Sequence, residues 1–490
     1  MDVYGPVIIP LFIALPLAMA LLIQVVARRR AKLADGLANA AMAALVVLSV
    51  LTIGQNGLYH MGGWATPLGI DLRLDALATL VLLTVNVVGL AACVYSVEYM
   101  RSYTAKGRYY SLFLLMVTGM NGVVLAGDLF NLYVFLEVAA VASYALVAFG
   151  GAHEELEASF KYAVLGALSS TIILIGIALV YGVTGALNMA HIASRISENG
   201  QSPPLLLAFA LFLSGFALKS ALAPFHAWLP DAHPAAPAPV SAMLSGVLIK
   251  AVGIYVLARL AFNVFAVGET ELAVLQWLGV FSMVLGGLLA TGQPDIKRLF
   301  AYSSISQVGY IILGLGLGTP LGVVGALYHL VNHALFKSLL FLNAGTVEYA
   351  TGTRKLSELG GLNKALPVTG VTSLVGSMSI AGIPPFNGFW SKLIIVMACV
   401  EAGFYGFALV AVIMSVVTLA YQLKVQRHAF FGPAPTTARP LRKEPRLMAA
   451  AMVMLALGCL ALSFLVLSGL ANPLLVGAAR EVLLGGSFGL

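Results

Sequence analysis

Apolar runs of roughly 20 residues, the length a helix needs to cross a bilayer, recur along nearly the whole 490-residue chain with short polar connections between them. The pattern predicts about fourteen transmembrane helices, over 4–27, 34–54, 74–97, 110–126, 128–149, 159–184, 204–222, 240–262, 271–290, 297–317, 321–345, 366–397, 401–424 and 447–469. The first run is too long, and too lacking in a small-residue cleavage site, for a removable signal peptide and is expected to stay as a helix. A closing apolar stretch, 474–490, carries Arg480 and Glu481 and is too short to span.

Composition agrees with this reading. The chain is 60% hydrophobic and 10% charged with a mean hydropathy of +0.97, whereas soluble domains carry about a quarter charged residues. Placing the N-terminus outside puts nineteen of the 27 Lys and Arg in cytoplasmic loops or helix ends, as the positive-inside rule requires. Among them are Arg28, Arg29, Arg30, Lys32, Arg101, Lys106, Arg108 and the run from Lys424 to Arg446; Arg73, Arg195, Arg259 and Arg480 fall outside. The net charge of +7 is thus an orientation signal, and nucleic-acid binding, which needs a basic patch on a soluble platform, is excluded. Cys93, Cys399 and Cys459 stand singly in apolar segments, with no CxxC and no fourth thiol for a cluster. No GxGxxG or P-loop follows a strand pattern. The chain is therefore expected to hold no cofactor, leaving any redox or ATP-driven step to partners.

Four lysines and a glutamate remain inside the spans: Glu137, Lys219, Lys250, Lys337 and Lys392. A charge at a helix centre costs roughly 3 kcal/mol or more, so such residues mark function by default. A desolvated lysine can give up its proton, more readily beside another cation and less readily beside a carboxylate, which makes a Lys/Glu row a switchable proton store. The alternative for Glu137 is a static ion pair that fixes helix packing, although buried pairs are weak stabilisers. Lys219 and Lys250 lie too deep to snorkel. Lys392 is nearer a cytoplasmic mouth, where a structural role stays open. His329, His333 and Lys337, spaced by four, share one helical face. Two such histidines could hold a metal, but the glutamate of a zincin is missing and no third ligand is evident, so none is expected. A proton relay near neutrality and interhelical hydrogen bonding are the other two readings.

Prolines interrupt two spans beside these charges. LKSALAPFHAWLPDAHPAAPAP places five after Lys219, and SIAGIPPFNGFWSK places two before Lys392. Unwound backbone at membrane depth is expected only where it lines a cavity or is buried in protein. The stretches PFHAW and PFNGFW echo each other 161 residues apart, and matching broken helices point to a transporter with repeats. An odd five-helix unit repeated in tandem must invert. The expected organisation is 1–109 with helices 1 to 3, a first repeat over 110–265, a second, inverted repeat over 266–425, and a basic cytoplasmic loop with helix 14 over 426–490.

At these residues the chain resembles the proton-translocating family shared by Mrp cation/proton antiporters, complex I and membrane-bound hydrogenases. The resemblance runs from the third span to the thirteenth, through GDLFNLYVFLEVAAVASYAL, ALKSALAPFHAWLPDAHPAAPAPVSAMLSGVLIKAVGIY, DIKRLFAYSSISQVGY, LYHLVNHALFKSLLFLNAG and SIAGIPPFNGFWSKLI. Length and motifs look most similar to the D-type subunits of Mrp antiporters and their hydrogenase counterpart.

The resemblance implies an all-α polytopic fold of about 14 transmembrane helices with two inverted five-helix repeats, each containing a broken helix. It implies that Glu137 is the fifth-helix glutamate, Lys219 its partner lysine on the broken seventh helix, Lys250 the eighth-helix lysine and Lys392 the lysine of the broken twelfth. His329, His333 and Lys337 match a polar connection between halves, with Ser303, Ser304, Ser306 and Gln307 able to hold water nearby. A proton route along the membrane midplane follows, in which pairing of Lys219 with Glu137 controls protonation of Lys250. The implied partners are other membrane subunits of a multisubunit Na+/H+ antiporter in the inner (plasma) membrane. A hydrogenase or NADH/ferredoxin:quinone oxidoreductase complex is the alternative. Protons are the expected cargo, because no carboxylate cluster of the kind hard cations prefer lies inside the spans; sodium is then left to cross in a partner.

Overall fold

The computed structural model describes residues 8–26, 31–433, 441–467 and 472–483. Arg28, Arg29 and Arg30, residues 434–440 of the basic run and residues 484–490 lie outside them. The chain begins with α1 (Leu11–Val26), α2 (Ala31–Leu51), α3 (Ala76–Tyr99), α4 (Lys106–Leu125), α5 (Leu129–Val147) and α6 (His153–Thr184). A short α7 (Met189–Asn199) buries Met189, Ile192 and Ile196 along one face. Next come α8 (Pro203–Lys219), the seven-residue α9 (Leu229–Ala235) and α10 (Ala238–Val264). The remainder is α11 (Glu269–Thr291), α12 (Ile296–Gly316), α13 (Pro320–Thr351), α14 (Pro367–Ala381), α15 (Asn387–Glu401), α16 (Tyr405–Val425), α17 (Arg446–Leu467) and α18 (Asn472–Leu483).

Ten of the described helices are long and apolar enough to cross a membrane, and the chain is an all-α polytopic membrane protein. Three of its aspartates cap helix starts: Asp75 accepts the Ala78 N–H at 2.8 Å, Asp128 those of Phe130 and Asn131 at 2.9 Å, and Asp295 that of Arg298 at 3.0 Å. α10 is buried almost throughout, and α12 and α13, the least apolar of the ten, nearly so, whereas the more apolar α5, α6 and α16 turn an apolar face outward, where lipid accepts it while polar residues keep to the interior. α13 packs against α10, α12, α14, α15 and α17. The 12-residue α18 covers about 18 Å, too little to span, as its sequence indicates.

Both proline-rich stretches break their helices. α8 stops at Lys219, Ala221 takes a left-handed φ of 55°, and Trp228 Nε1 donates to the freed Leu218 carbonyl at 2.9 Å. α14 stops at Ala381, Gly382 takes φ 78°, and Lys392 Nζ donates to the freed Ile380 carbonyl at 2.8 Å. Each break thus finds donors inside the protein, as backbone in a membrane must.

Three features depart from the expected pattern. The connection between α2 and α3 holds an antiparallel hairpin, β1 (Gly57–His60) and β2 (Asp71–Leu74), paired from Gly57↔Leu74 to His60↔Asp71. Inside α10 the backbone is π-helical at Leu244–Leu248, Lys250–Ile254 and Arg259–Val264. Finally, two cations assigned from sequence to loops or helix ends are buried: Arg259 pairs with Asp75 at 2.5 Å, and Lys297 with Glu348 at 2.7 Å.

Candidate functional site

Lys219, the last residue of α8, and Glu137, midway along α5, approach to 3.8 Å. The space between them is filled by Ser170 of α6, whose Oγ donates to Glu137 Oε1 and accepts from Lys219 Nζ at 3.0 Å. Lys219 Nζ also donates to the Gly166 carbonyl at 3.3 Å. The lysine side chain is 5% exposed and the glutamate 31%, so the carboxylate stands at the outer edge of the bundle with the ammonium sealed behind it. Ser170 was not singled out from sequence, because the run Ser169–Ser170–Thr171 does not say which hydroxyl faces the pair until the helix is placed.

Lys250 is 1% exposed. Its Nζ donates to the Ser245 carbonyl, which the π-helical turns of α10 leave within reach of the side chain. π-turns inside helices are frequent at functional positions. The wall behind it is close-packed: a Cβ on Gly253 would stand 2.1 Å from Ser220 Oγ, and one on Gly246 would stand 2.0 Å from Ser338 Oγ. At both positions the nearest atom is a serine hydroxyl, so a side chain there requires that hydroxyl to turn away and α10 to give by a few tenths of an ångström against the Lys219 break or α13.

Along α13 the rings of His329 and His333 stack 6.3 Å apart at 4°, and His329 Nδ1 meets Ser391 Oγ at 2.9 Å. Lys337 Nζ donates to the Phe300 carbonyl at 2.7 Å. Lys392 of α15 lies 4.7 Å from the Tyr310 ring centroid, a cation–π distance, and Tyr310 in turn is 5.6 Å from the His329 ring. A cavity of about 250 Å³ borders Lys392 beside Gly382, Phe389 and Ser415. α15 is clamped to α13 by two hydrogen bonds, in which Asn387 Nδ2 donates to Asn332 Oδ1 at 2.9 Å and Asn332 Nδ2 to the Asn387 carbonyl at 3.0 Å.

Two groupings result. Lys250, His329, His333, Lys337 and Lys392 form one buried cluster, in which His333 lies within electrostatic reach of all three lysines. Glu137 and Lys219 form the second, joined to the first by the Ser220–Gly253 contact. Of the expected water-holding residues, Ser304 Oγ meets Ser245 Oγ at 2.7 Å and Ser303 Oγ meets Tyr421 Oη at 2.9 Å, while Gln307 is buried with neither amide atom hydrogen-bonded. Among the described residues no three His, Cys, Asp or Glu side chains are grouped to hold a metal.

Cations strung between two broken helices, with so little negative charge beside them among the described residues, define a class of helical membrane protein that keeps charge inside its own core. The family described as NADH:quinone oxidoreductase/Mrp antiporter, transmembrane, matches residues 126–418, and the complex I chain 5 N-terminal family matches 64–110. The chain belongs to this NADH:quinone oxidoreductase/Mrp antiporter family. It is 38% identical to the N-type subunit of the NADH-quinone oxidoreductase of Desulforudis audaxviator, over 93% of this chain and 94% of that one. It is 35% identical to the D-type subunit of the Na(+)/H(+) antiporter of Alkalihalophilus pseudofirmus, over 87% of each. The structure is similar to a chain of the Mrp complex from Dietzia sp. DQ12-45-1b, with a TM-score of 0.91, 32% identity and 98% of both chains covered. These relatives are subunits of larger membrane assemblies.

Proposed function

We propose that the chain is the proton-translocating subunit of a multisubunit Mrp-type Na+/H+ antiporter in the inner (plasma) membrane. The observation that carries the reading is Lys250, sealed from water and held by a backbone carbonyl rather than a carboxylate. With no counter-ion beside it, its protonation follows whatever charge its neighbours carry. Lys219 is the switch: held by Ser170 and Glu137 its charge is compensated, and released it adds a cation near Lys250. The proton then moves through His333 and His329 to Lys392, whose cavity supplies the far opening. Fourteen crossings, inverted repeats over 110–265 and 266–425, and an N-terminus outside complete the picture, with the hairpin outside as well.

A redox-driven pump is the second reading, favoured by the 38% identity to a quinone oxidoreductase subunit. Purified complex in proteoliposomes separates them. Sodium efflux driven by an imposed pH gradient, in a complex free of iron and flavin, is the expected result; proton transport that requires electron flow would replace it with the redox pump.

A further inference from the structure

His233 takes no part in the row above. It lies near the C-terminal end of α9, fully buried, with neither ring nitrogen hydrogen-bonded. A buried polar group in that state costs free energy that folding alone does not recover. Its backbone is pinned on both sides of the Cα: Ser241 Oγ donates to the His233 carbonyl at 2.7 Å, and Arg354 Nη1 to the Pro234 carbonyl at 2.5 Å.

His233 does not itself line a cavity, but the residues that follow it do. Pro234, Ala235 and Ala236 wall a polar cavity of about 480 Å³ at the end of the bundle away from the hairpin, where α6 begins and α13 ends. Its charged lining includes Glu154, Asp295, Lys297, Glu348 and Arg354. Lys297 and Glu348 pair at 2.7 Å, with Lys297 Nζ 3.3 Å from the Ala236 carbonyl. Against the imidazole stands Phe341, its ring 5.3 Å away at 79°. Lys337 Nζ lies 5.9 Å from the Phe341 centroid, and the charges of Lys337 and Lys250 both act at the imidazole.

We propose that His233 is a proton relay joining this cavity to Lys337, with the Phe341 ring as the gate between them. The inference rests on the proton route proposed above and names where that route meets the water on the α6/α13 end. A proton from cavity water binds one ring nitrogen; the imidazolium passes the proton on its other nitrogen to the neutral Lys337 amine, which becomes ammonium while the imidazole returns to neutral. Exchange of the remaining proton between ring nitrogens resets the relay. Lys337 and Lys250 repel an imidazolium from the core side, and Lys297 and Arg354 do so from the cavity, opposed there by Glu348 and Asp295. The relay therefore carries charge only in transit, when Lys337 is empty.

The test uses intact complex in proteoliposomes, with an internal pH dye and pH gradients of either sign. His233→Asn keeps size and polarity but cannot titrate; it should slow flux by roughly 100-fold, the scale of a lost acid–base group, and remove the dependence of flux on pH at the cavity side. A histidine that only fills space would leave that pH profile unmoved. Wild-type rate and profile in His233→Asn, beside a dead Lys250→Ala, would overturn the relay alone, whereas an active Lys250→Ala would overturn the route and the relay with it. Should His233→Asn not assemble, Phe341→Leu decides: the proton leak should rise severalfold with His233 in place, and a leak equal to wild type sinks the gate and the relay.

Discussion

Glu137 Oε1 and Lys219 Nζ stand 3.8 Å apart with Ser170 Oγ wedged between them, bonded to both. The pair is latched by a neutral hydroxyl that either partner can leave without breaking a direct bond to the other. Removing one charge strands its partner, typically at a cost of about 3–5 kcal/mol unless the survivor neutralises. Glu137→Ala and Lys219→Ala should each abolish transport, with the double variant little worse than either and better assembled than the worse single. Ser170→Ala should slow transport about tenfold, in line with loss of hydrogen bonds to charged groups. A double-mutant cycle on rate and complex yield checks this, and strictly additive losses would end the latch.

Lys250→Arg is expected to assemble and fail. Arginine fills the site and stays charged, so it cannot cycle a proton. Near-normal flux in an assembled Lys250→Arg complex would remove Lys250 from the route.

The contact between Gly253 and Ser220 offers a test of geometry rather than charge. A methyl at 253 would meet Ser220 Oγ at 2.1 Å and push α10 off the Lys219 break. Gly253→Ala should therefore cost transport severalfold or more, and Ser220→Gly added to it should restore most of the loss. Failure of that rescue would mean that the close approach is not what Gly253 provides.

The α13 histidines have no third His, Cys, Asp or Glu grouped with them among the described residues, an incomplete ligand set from which metal-independent transport is expected. Chelators should leave flux unchanged. A stoichiometric metal in purified complex, lost in His333→Ala, would contradict this.

At the hairpin end, burial pushes the Asp75 carboxyl up, but the charge and hydrogen bonds of Arg259, the Ala78 N–H and the Arg73 charge more than offset it and hold it below the usual aspartate range. A carboxyl depressed in the folded state adds stability that is complete above the ordinary value and is lost as pH falls through the folded one. The thermal midpoint of the complex should thus owe nothing to Asp75 titration between pH 5 and 8 and lose its contribution only below about 4. Asp75→Asn should lower the thermal midpoint of the complex at neutral pH by removing the charge that Arg259 pairs with at 2.5 Å, which a melting series on wild type and variant would show.

The helical membrane fold and the row from Glu137 to Lys392 were legible because each charge stood out against apolar sequence for many residues on both sides. Arg259 was misplaced for a related reason. Hydropathy marks where apolar segments end, and a cation near such an end counts as a loop residue unless its counter-ion is known; Asp75 lies 184 residues away. The hairpin falls in a polar connection with few alternating positions, and the π-turns around Lys250 leave no periodic trace because every residue of α10 but Phe262 is buried. Ser170 and His233 needed three dimensions, since what marks them is a partner present in one case and missing in the other.

Glu137 leaves about a third of its side chain uncovered on a face shared with Phe130, Val134 and Val141, midway along a bilayer-spanning helix. Hydrocarbon is a poor home for a carboxylate, and a solitary copy of this chain would have to draw in water or thin the lipid around that spot. The chain is in that sense an open circuit. Its outermost contact is bare in a lone copy, so whatever lies against that face in the membrane sets the dielectric around the carboxylate.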